Sequence, residues 1–351
     1  MNKKTILFLF YTVTFVTNCS YSNSSIDGLP FIDVTKNYPE KEYILTDIAD
    51  VTYIHLNTPN DEYLYKGGII YVTENSIVVK DASSGSVLFF SKDGLPKSRF
   101  NHYGNGPEEY LGGFQVVYDE ATDDVFVYGY SPFIQVYSSK GEYRRKLYLP
   151  HGVKPSQMDC FDNQSLIVYD ISGIQYKAQP KDSKDNITPL IDSSFFLISK
   201  TDGQVLDYIE MSATQIDLSV KTPSGGVMLA FFTGIVRHAD GFLLCNPETD
   251  TVFLYSKNKD LTPIICKIPS VGSLEPKIIL NNCLDVDKYQ FMEVQTISYD
   301  NIGYRDRHKH YIRDKKTGEV KLQKIVLPDY KGKEIIIIFC SPFVRPIIAG
   351  C

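Results

Sequence analysis

The sequence predicts an all-β fold, a six-bladed β-propeller with room for an incomplete last blade. Three observations carry that prediction. The first is a recurring phrase, an apolar strand followed by Ser or Lys and a polar turn closed by Gly or Asp. It occurs at Ser86–Gly94, Phe133–Gly141, Phe195–Gly203, Val252–Asp260 and, more faintly, Tyr311–Gly318. One strand-turn unit cannot bury its apolar face alone, so a repeated one implies stacked neighbours. The second is spacing: the closing residues 94, 141, 203, 260 and 318 stand 47, 62, 57 and 58 residues apart. A four-stranded blade takes roughly 40–50 residues before loop insertions lengthen it. The third is periodicity, because apolar residues recur every second position and no stretch of a dozen residues carries a helical stripe. A two-sheet sandwich is the structural alternative, since strand patterns alone do not establish closure.

In chain order, residues 1–19 read as an export leader. Lys3 and Lys4 form its positive end, Ile6–Val16 an apolar stretch too short to span a bilayer, and Val16-Thr-Asn-Cys19 a lipobox-like end. Cys19 is therefore the expected lipidation site and first mature residue, a plain secretory cut nearby being the other reading. Residues 20–43 form a small, polar tether and lead-in, and residues 44–351 the propeller. Val51–Leu56 is expected as a leading strand that completes the last blade and covers an exposed edge. Gly68–Thr73 and Ser76–Lys80 flank a Glu74-Asn75 turn; Val125–Tyr128, Ser165–Tyr169 and Phe242–Cys245 are further strands. Lys177–Pro189 reads as a polar insertion. The C-terminal run from Ile335 carries one charge in its last seventeen residues. It reads as a buried final strand, Ile335–Phe339, with a Pro-bounded tail, or as a truncated or frame-shifted ending.

Composition narrows the partners. The formal charge of −6 becomes −8 once Lys3 and Lys4 leave with the leader, which argues against a nucleic-acid partner. Beyond Cys19, the cysteines at 160, 245, 266, 283, 340 and 351 are irregularly spaced and form no Cys-x-x-Cys pair. Mostly buried free thiols, with at most one bridge, are expected.

The densest polar-aromatic cluster is His102-Tyr-Gly-Asn-Gly-Pro-Glu-Glu-Tyr110. Its glycines and proline allow a tight turn that could present Arg99, His102, Glu108, Glu109 and Tyr110 as a ligand-binding group at one mouth of the ring. The plainer alternative is a linker with Tyr110 packed between two blades. His308 and His310 would share a face of an extended segment, as metal ligands can, but Arg305, Arg307, Lys309 and Arg313 around them favour a solvated basic hairpin. Asp81, Asp119, Asp123, Asp124, Asp170, Asp240 and Asp250 fall at strand ends. They suit turn duty, or oxygen ligation of a Ca2+ ion in a central channel. Tyr53, Tyr71, Tyr118, Tyr128, Tyr130, Tyr137 and Tyr169 are half-buried strand residues or sugar-stacking platforms. Neither Gly-x-Ser-x-Gly nor His-Glu-x-x-His occurs, and Ser224-Gly-Gly226 reads as a loop.

From Ile44 to Tyr330 the chain resembles the six-bladed β-propeller lipoproteins common in Bacteroidetes, with a weaker likeness to NHL-repeat propellers. Leu45-Thr-Asp-Ile-Ala-Asp-Val-Thr-Tyr-Ile-His-Leu56 looks like that family's opening strand, and Gly104-Asn-Gly-Pro-Glu-Glu-Tyr110 like its Gly-x-Gly-Pro-Gly-Glu-Tyr loop. Glu108 stands where the family usually has Gly, and the family's chains usually run on past residue 351. That family's activity is largely uncharacterised; read with the Cys19 leader, the chain is expected to be a monomeric, lipid-anchored binding or scaffolding module at the outer membrane, with a glycan, peptide or envelope protein as its ligand. The absence of an acidic run after Cys19 points to a periplasm-facing position. The alternative is a metal-dependent propeller hydrolase, lactonase- or esterase-like, with carboxylates converging in the channel.

Overall fold

Each copy of the recurring phrase folds as the hairpin turn between the third and fourth strands of an antiparallel sheet. In the computed structural model the described residues are 28–66, 70–81, 83–111, 115–173, 193–211, 216–221, 227–229, 233–299, 307–327 and 334–335. The leader with Cys19, the Lys177–Pro189 insertion, the Ser224-Gly-Gly226 loop, Cys340 and Cys351 lie outside them.

The described chain opens with two short strands, β1 (Phe31–Asp33) and β2 (Glu40–Ile44), and one helical turn, α1 (Leu45–Ile48). Blade I comprises β3 (Ile70–Val72), β4 (Ser76–Lys80), β5 (Val87–Ser91) and β6 (Pro96–Phe100). Blade II comprises β7 (Gln115–Asp119), β8 (Asp124–Tyr128), β9 (Phe133–Tyr137) and β10 (Tyr143–Tyr148). Blade III comprises β11 (Pro155–Cys160), β12 (Ser165–Asp170), β13 (Phe195–Ser199) and β14 (Val205–Ile209). A separate hairpin follows, β15 (Ser219–Lys221) with β16 (Val227–Leu229). Blade IV comprises β17 (Ile235–His238), β18 (Gly241–Cys245), β19 (Thr251–Ser256) and β20 (Leu261–Ile268). Blade V comprises β21 (Lys277–Asp285), β22 (Tyr289–Ile297), β23 (His308–Asp314) and β24 (Val320–Val326), and β25 (Glu334–Ile335) pairs with the end of β24. Within each blade, successive strands pair in order.

The turn chemistry explains the phrase. Ser91, Ser138, Ser199, Ser256 and Asp314 each accept, at their carbonyl, the N–H of the residue that closes the turn, at 2.8–3.0 Å. Their side-chain oxygens accept further turn N–H groups, as Ser138 Oγ does from Glu142 at 3.1 Å. The closing residue is left-handed in all five: Gly94, Gly141, Gly203, Lys259 and Gly318, at φ between 68° and 86°. That is why glycine recurs there. In blade IV the left-handed residue is Lys259 rather than Asp260, the expected closing residue.

The expected leading strand Val51–Leu56 is not a strand. Its backbone runs over the turn of blade I, with Asn57 N–H donating to the Gly94 carbonyl at 2.8 Å, so it meets no free sheet edge to pair with. Leu56 and Tyr63 pack instead on Ile77, Val79, Leu88 and Phe90. The edges are covered by the preceding residues: β1 pairs in parallel with β20, and β2 in parallel with β24. Tyr38 and Tyr43 fasten this strap, through edge-on contacts with Tyr311 and Tyr289 at 5.6 and 6.4 Å.

Apolar packing lies between the blades. Phe89 meets Tyr118 at 5.1 Å and Phe100 meets Tyr137 at 5.4 Å across the seam of blades I and II. Phe161 meets Tyr255 at 5.2 Å across the seam of blades III and IV. Each such ring, once buried, contributes about 2–3 kcal/mol of apolar transfer, so each blade relies on its neighbours for a core. Polar latches join the turns. Glu120 accepts from Thr73 and Ser76 hydroxyls at 2.9 and 2.8 Å, and buried Lys200 pairs with Asp119 at 2.8 Å.

Candidate functional site

The first, innermost strands of the blades converge, and their polar residues stitch the ring. Gln115 on β7 donates to the Pro155 carbonyl at 3.0 Å and to that of Ser156. Gln157 on β11 accepts from the N–H groups of Gly234 and Ile235, at 2.5 and 2.8 Å.

At the centre lies a cluster drawn from three blades. Asp159, on β11, is fully buried. Its Oδ1 accepts from Tyr71 Oη of β3 at 2.8 Å and from the Cys160 N–H at 2.7 Å, and also from Arg237 Nη2 of β17. Its Oδ2 accepts from Arg237 Nε at 2.6 Å. The guanidinium stacks 4.9 Å from the Tyr71 ring centre and also donates to the Tyr71 hydroxyl. Burial opposes the charge on Arg237, but Asp159 beside it more than offsets this and its pKa is raised. Burial and the Asp159 carboxylate push the Tyr71 phenol well above its ordinary value. Burial also pushes the Cys160 thiol up to about 12, so it carries little thiolate near neutral pH. A carboxylate with donors on both oxygens and a bidentate guanidinium is chemically a cross-link.

The predicted loop takes a different shape from a converging group. Tyr110 is buried: its hydroxyl donates to the Gly85 carbonyl at 2.7 Å and accepts from the His102 N–H at 3.3 Å, and burial raises its pKa to about 12. His102 lies flat on Tyr137 at 4.9 Å, with Nε2 2.7 Å from the Gly141 carbonyl oxygen. Arg99 leaves the group and donates to the Glu62 carbonyl at 3.0 Å. Glu109 folds back to accept from the Gly106 N–H at 2.7 Å, and a Cβ on Gly104 would lie 2.0 Å from the same carboxylate. The carbonyls of Glu108 and Glu109 accept from Tyr137 Oη and Gln135 Nε2 at 2.6 and 2.7 Å. Glu108 itself has no positive φ. The loop thus holds its backbone rigidly against blade II, with Tyr103, Asn105, Glu108 and Glu109 facing solvent.

His308 and His310 do share a face, but it is no solvated hairpin. His308 Nδ1 lies 2.5 Å from Glu293 Oε1, which also accepts from Asn281 at 3.0 Å. Glu293 is buried, and though burial alone would raise its pKa, His308 and His310 hold it lowered. The register places Glu293 opposite His310 and Gln295 opposite His308, and Lys309 and Arg313 opposite Val294 and Gln290, so Lys309 and Arg313 fall on the other face. No group of three or more His, Cys, Asp or Glu side chains with metal-holding geometry occurs among the described residues.

Among the aspartates, Asp81 accepts from the Ser83 N–H and from the hydroxyls of Ser83 and Ser84 at 2.7–3.0 Å. Asp124 pairs with Arg144 and Arg145 at 2.5 and 2.6 Å. Asp170 accepts from Ser172 and Lys154, and Asp250 pairs with the buried Lys267 at 2.7 Å. Of the singled-out tyrosines, Tyr53 and Tyr130 are exposed and the others buried. Cys160, Cys245, Cys266 and Cys283 are free thiols.

Small consecutive-strand blades whose first strands meet at the centre define a β-propeller. The sequence matches the model of the DUF5128 family, described as a 6-bladed beta-propeller, over residues 22–203. That is just over half of the chain, and the chain belongs to this family. Among solved structures, a candidate exported protein of Bacteroides fragilis NCTC 9343 superposes with a TM-score of 0.55 at 15% identity, over 83% of this chain and 79% of its own. That likeness shows the fold. A DUF4221 family member from Bacteroides vulgatus ATCC 8482 aligns over 74% of this chain and 80% of its own at 8% identity, with a TM-score of 0.44. No curated protein matches the sequence.

Proposed function

We propose that this chain is an exported β-propeller, anchored in the outer membrane through a diacylated Cys19 and facing the periplasm, that acts as a monomeric binding or scaffolding module. Its ligand is a glycan, a peptide or an envelope protein. The observation that carries the reading is the centre of the ring, where Tyr71, Asp159 and Arg237 satisfy one another across blades I, III and IV. In a propeller hydrolase that position is where carboxylates would converge on a cation; here the carboxylate is spent on a guanidinium. Family membership, the candidate exported designation of the Bacteroides fragilis protein and the leader ending at Cys19 support export. The formal charge supports a partner other than nucleic acid.

Mass spectrometry of the membrane-extracted protein tests the anchor: acyl chains on an N-terminal Cys19 are expected, with C19A recovered in the soluble fraction. An unmodified mature N-terminus overturns the anchor. A thermal shift with added Ca2+ that disappears on an Asp-to-Asn change at the channel would favour the hydrolase instead.

A further inference from the structure

We propose that the outer edge of β14 is a docking edge, taking an extended peptide segment of a partner protein as a fifth strand parallel to β14. This deepens the binding-module reading and rests on it. The fold itself shows the device twice. β20 and β24, the outermost strands of blades IV and V, each take a parallel strand from the N-terminal strap, in the registers Ile32 to Lys267 and Tyr43 to Ile325. Backbone bonds such as Val34 N–H to the Ile268 carbonyl, 2.9 Å, and Leu322 N–H to the Pro39 carbonyl, 3.1 Å, carry these additions.

Among the described residues, the outermost strands of the other three blades, β6, β10 and β14, end their sheets. Two of them are defended as edge strands usually are, with proline and fixed positive charge. β6 begins at Pro96 and exposes Lys97 and Arg99, and β10 carries Arg144, Arg145 and Lys146 in succession, the two arginines also pairing with Asp124; a bulge is common to all three strands. β14 has neither device. Its outward residues are Leu206 and Tyr208, 53% and 50% exposed, and its one charge, Asp207, faces Lys259 at 3.6 Å. Tyr208 pairs across from Phe196 and Leu206 is the extra residue of a bulge between Val205 and Asp207, so both present exposed apolar surface beside the free edge.

The occupant is an extended segment of about five residues, the length of β2, apolar at alternate positions and free of proline. A second copy fits less well. Twofold antiparallel pairing that sets Leu206 against Tyr208 also sets Asp207 directly against its own copy, a like-charge pair.

The test uses the mature chain and a fluorescein-labelled octapeptide of alternating Thr and Val with terminal lysines. The control is the same peptide with proline at its centre. Saturable binding of the first peptide and not the control is expected, with amide exchange slowed in residues 205–209 and unchanged in β6 and β10. L206K/Y208K, which installs the charge that guards β10, should weaken binding by about tenfold or more. Absence of saturable binding, protection of β6 or β10 instead, or equal binding by a folded L206K/Y208K overturns the proposal. So does concentration-dependent dimerisation that L206K/Y208K abolishes, because the occupant is then a second copy. If L206K/Y208K does not fold, L206T/Y208T and the exchange pattern of the unmodified chain decide. These results are independent of acylation at Cys19 and of Ca2+ dependence, so the edge can fail while the binding-module reading stands.

Discussion

Replacing Asp159 by Ala removes the carboxylate that joins blades I, III and IV. Breaking a buried ion pair by deleting one partner costs about 3–5 kcal/mol, because the other charge stays behind in a poor solvent. The Arg237 side chain keeps 24% of its surface exposed, so water recovers part of that loss and the lower end, about 3 kcal/mol, is expected. The Tyr71 hydroxyl also loses its acceptor at 2.8 Å, adding about 1 kcal/mol. Deleting both charges in D159L/R237M removes the problem together with the attraction, and should stand within about 1–2 kcal/mol of the unmodified chain. Urea unfolding followed by far-ultraviolet circular dichroism and tyrosine fluorescence, the chain having 25 tyrosines and no tryptophan, gives the four midpoints of the cycle formed by the unmodified chain, D159L, R237M and D159L/R237M, with D159A measured beside them. The coupling between the two sites should be about 2 kcal/mol or more. Additive losses, or a D159A cost under about 1 kcal/mol, would refute a central cross-link.

Four further outcomes follow from the turns and the loop. Gly203→Ala forces a Cβ to 2.6 Å from the Tyr148 carbonyl oxygen at φ +85° and should cost about 2 kcal/mol or more. Lys259→Gly relieves the same left-handed strain and should stabilise by about 0.5–1 kcal/mol, both read as shifts in unfolding midpoint. Burial alone would raise the Asp81 pKa, but the Ser84 and Ser83 bonds hold it at about 2 against 3.8. Its contribution of about 1–2 kcal/mol is therefore present above pH 4 and lost as pH falls toward 2. Stability measured from pH 7 to pH 2 should converge for the unmodified chain and D81N, and a constant difference would contradict the assignment. Tyr137→Phe deletes the 2.6 Å bond to the Glu108 carbonyl. It should cost about 1 kcal/mol and speed amide exchange in residues 104–110, leaving the β3 amides unchanged.

The candidate loop was legible as a tight polar turn, because Gly104, Gly106 and Pro107 restrict the backbone locally. Where its side chains point was not. Tyr110 turns inward because Gly85 supplies a carbonyl from the preceding hairpin, and Arg99 leaves because Glu62 lies nearer. The central cluster left a faint signal in the chain, polar residues at alternate positions of inner strands: Gln157 and Asp159 on β11, Arg237 on β17. Nothing local says that Asp159 faces Tyr71, 88 positions away in the chain. His308 and His310 show the same limit from the other side. Their neighbours in sequence are basic, but alternation puts Lys309 and Arg313 on the opposite face and brings Glu293 from the adjacent strand.

By itself the sequence determined the blade as a unit. Hairpin turns are settled within a few residues by side-chain oxygens and left-handed glycines, so five copies of one phrase announced five like turns in advance. Tertiary structure alone decided which edges are paired. The strand expected at Val51–Leu56 gave way to strands at residues 31–33 and 40–44, because the partner of an edge strand is set by which free backbone it meets, and that is a property of the assembled ring. Among the described residues, the same assembly leaves β14, like β6 and β10, as the last strand of its sheet.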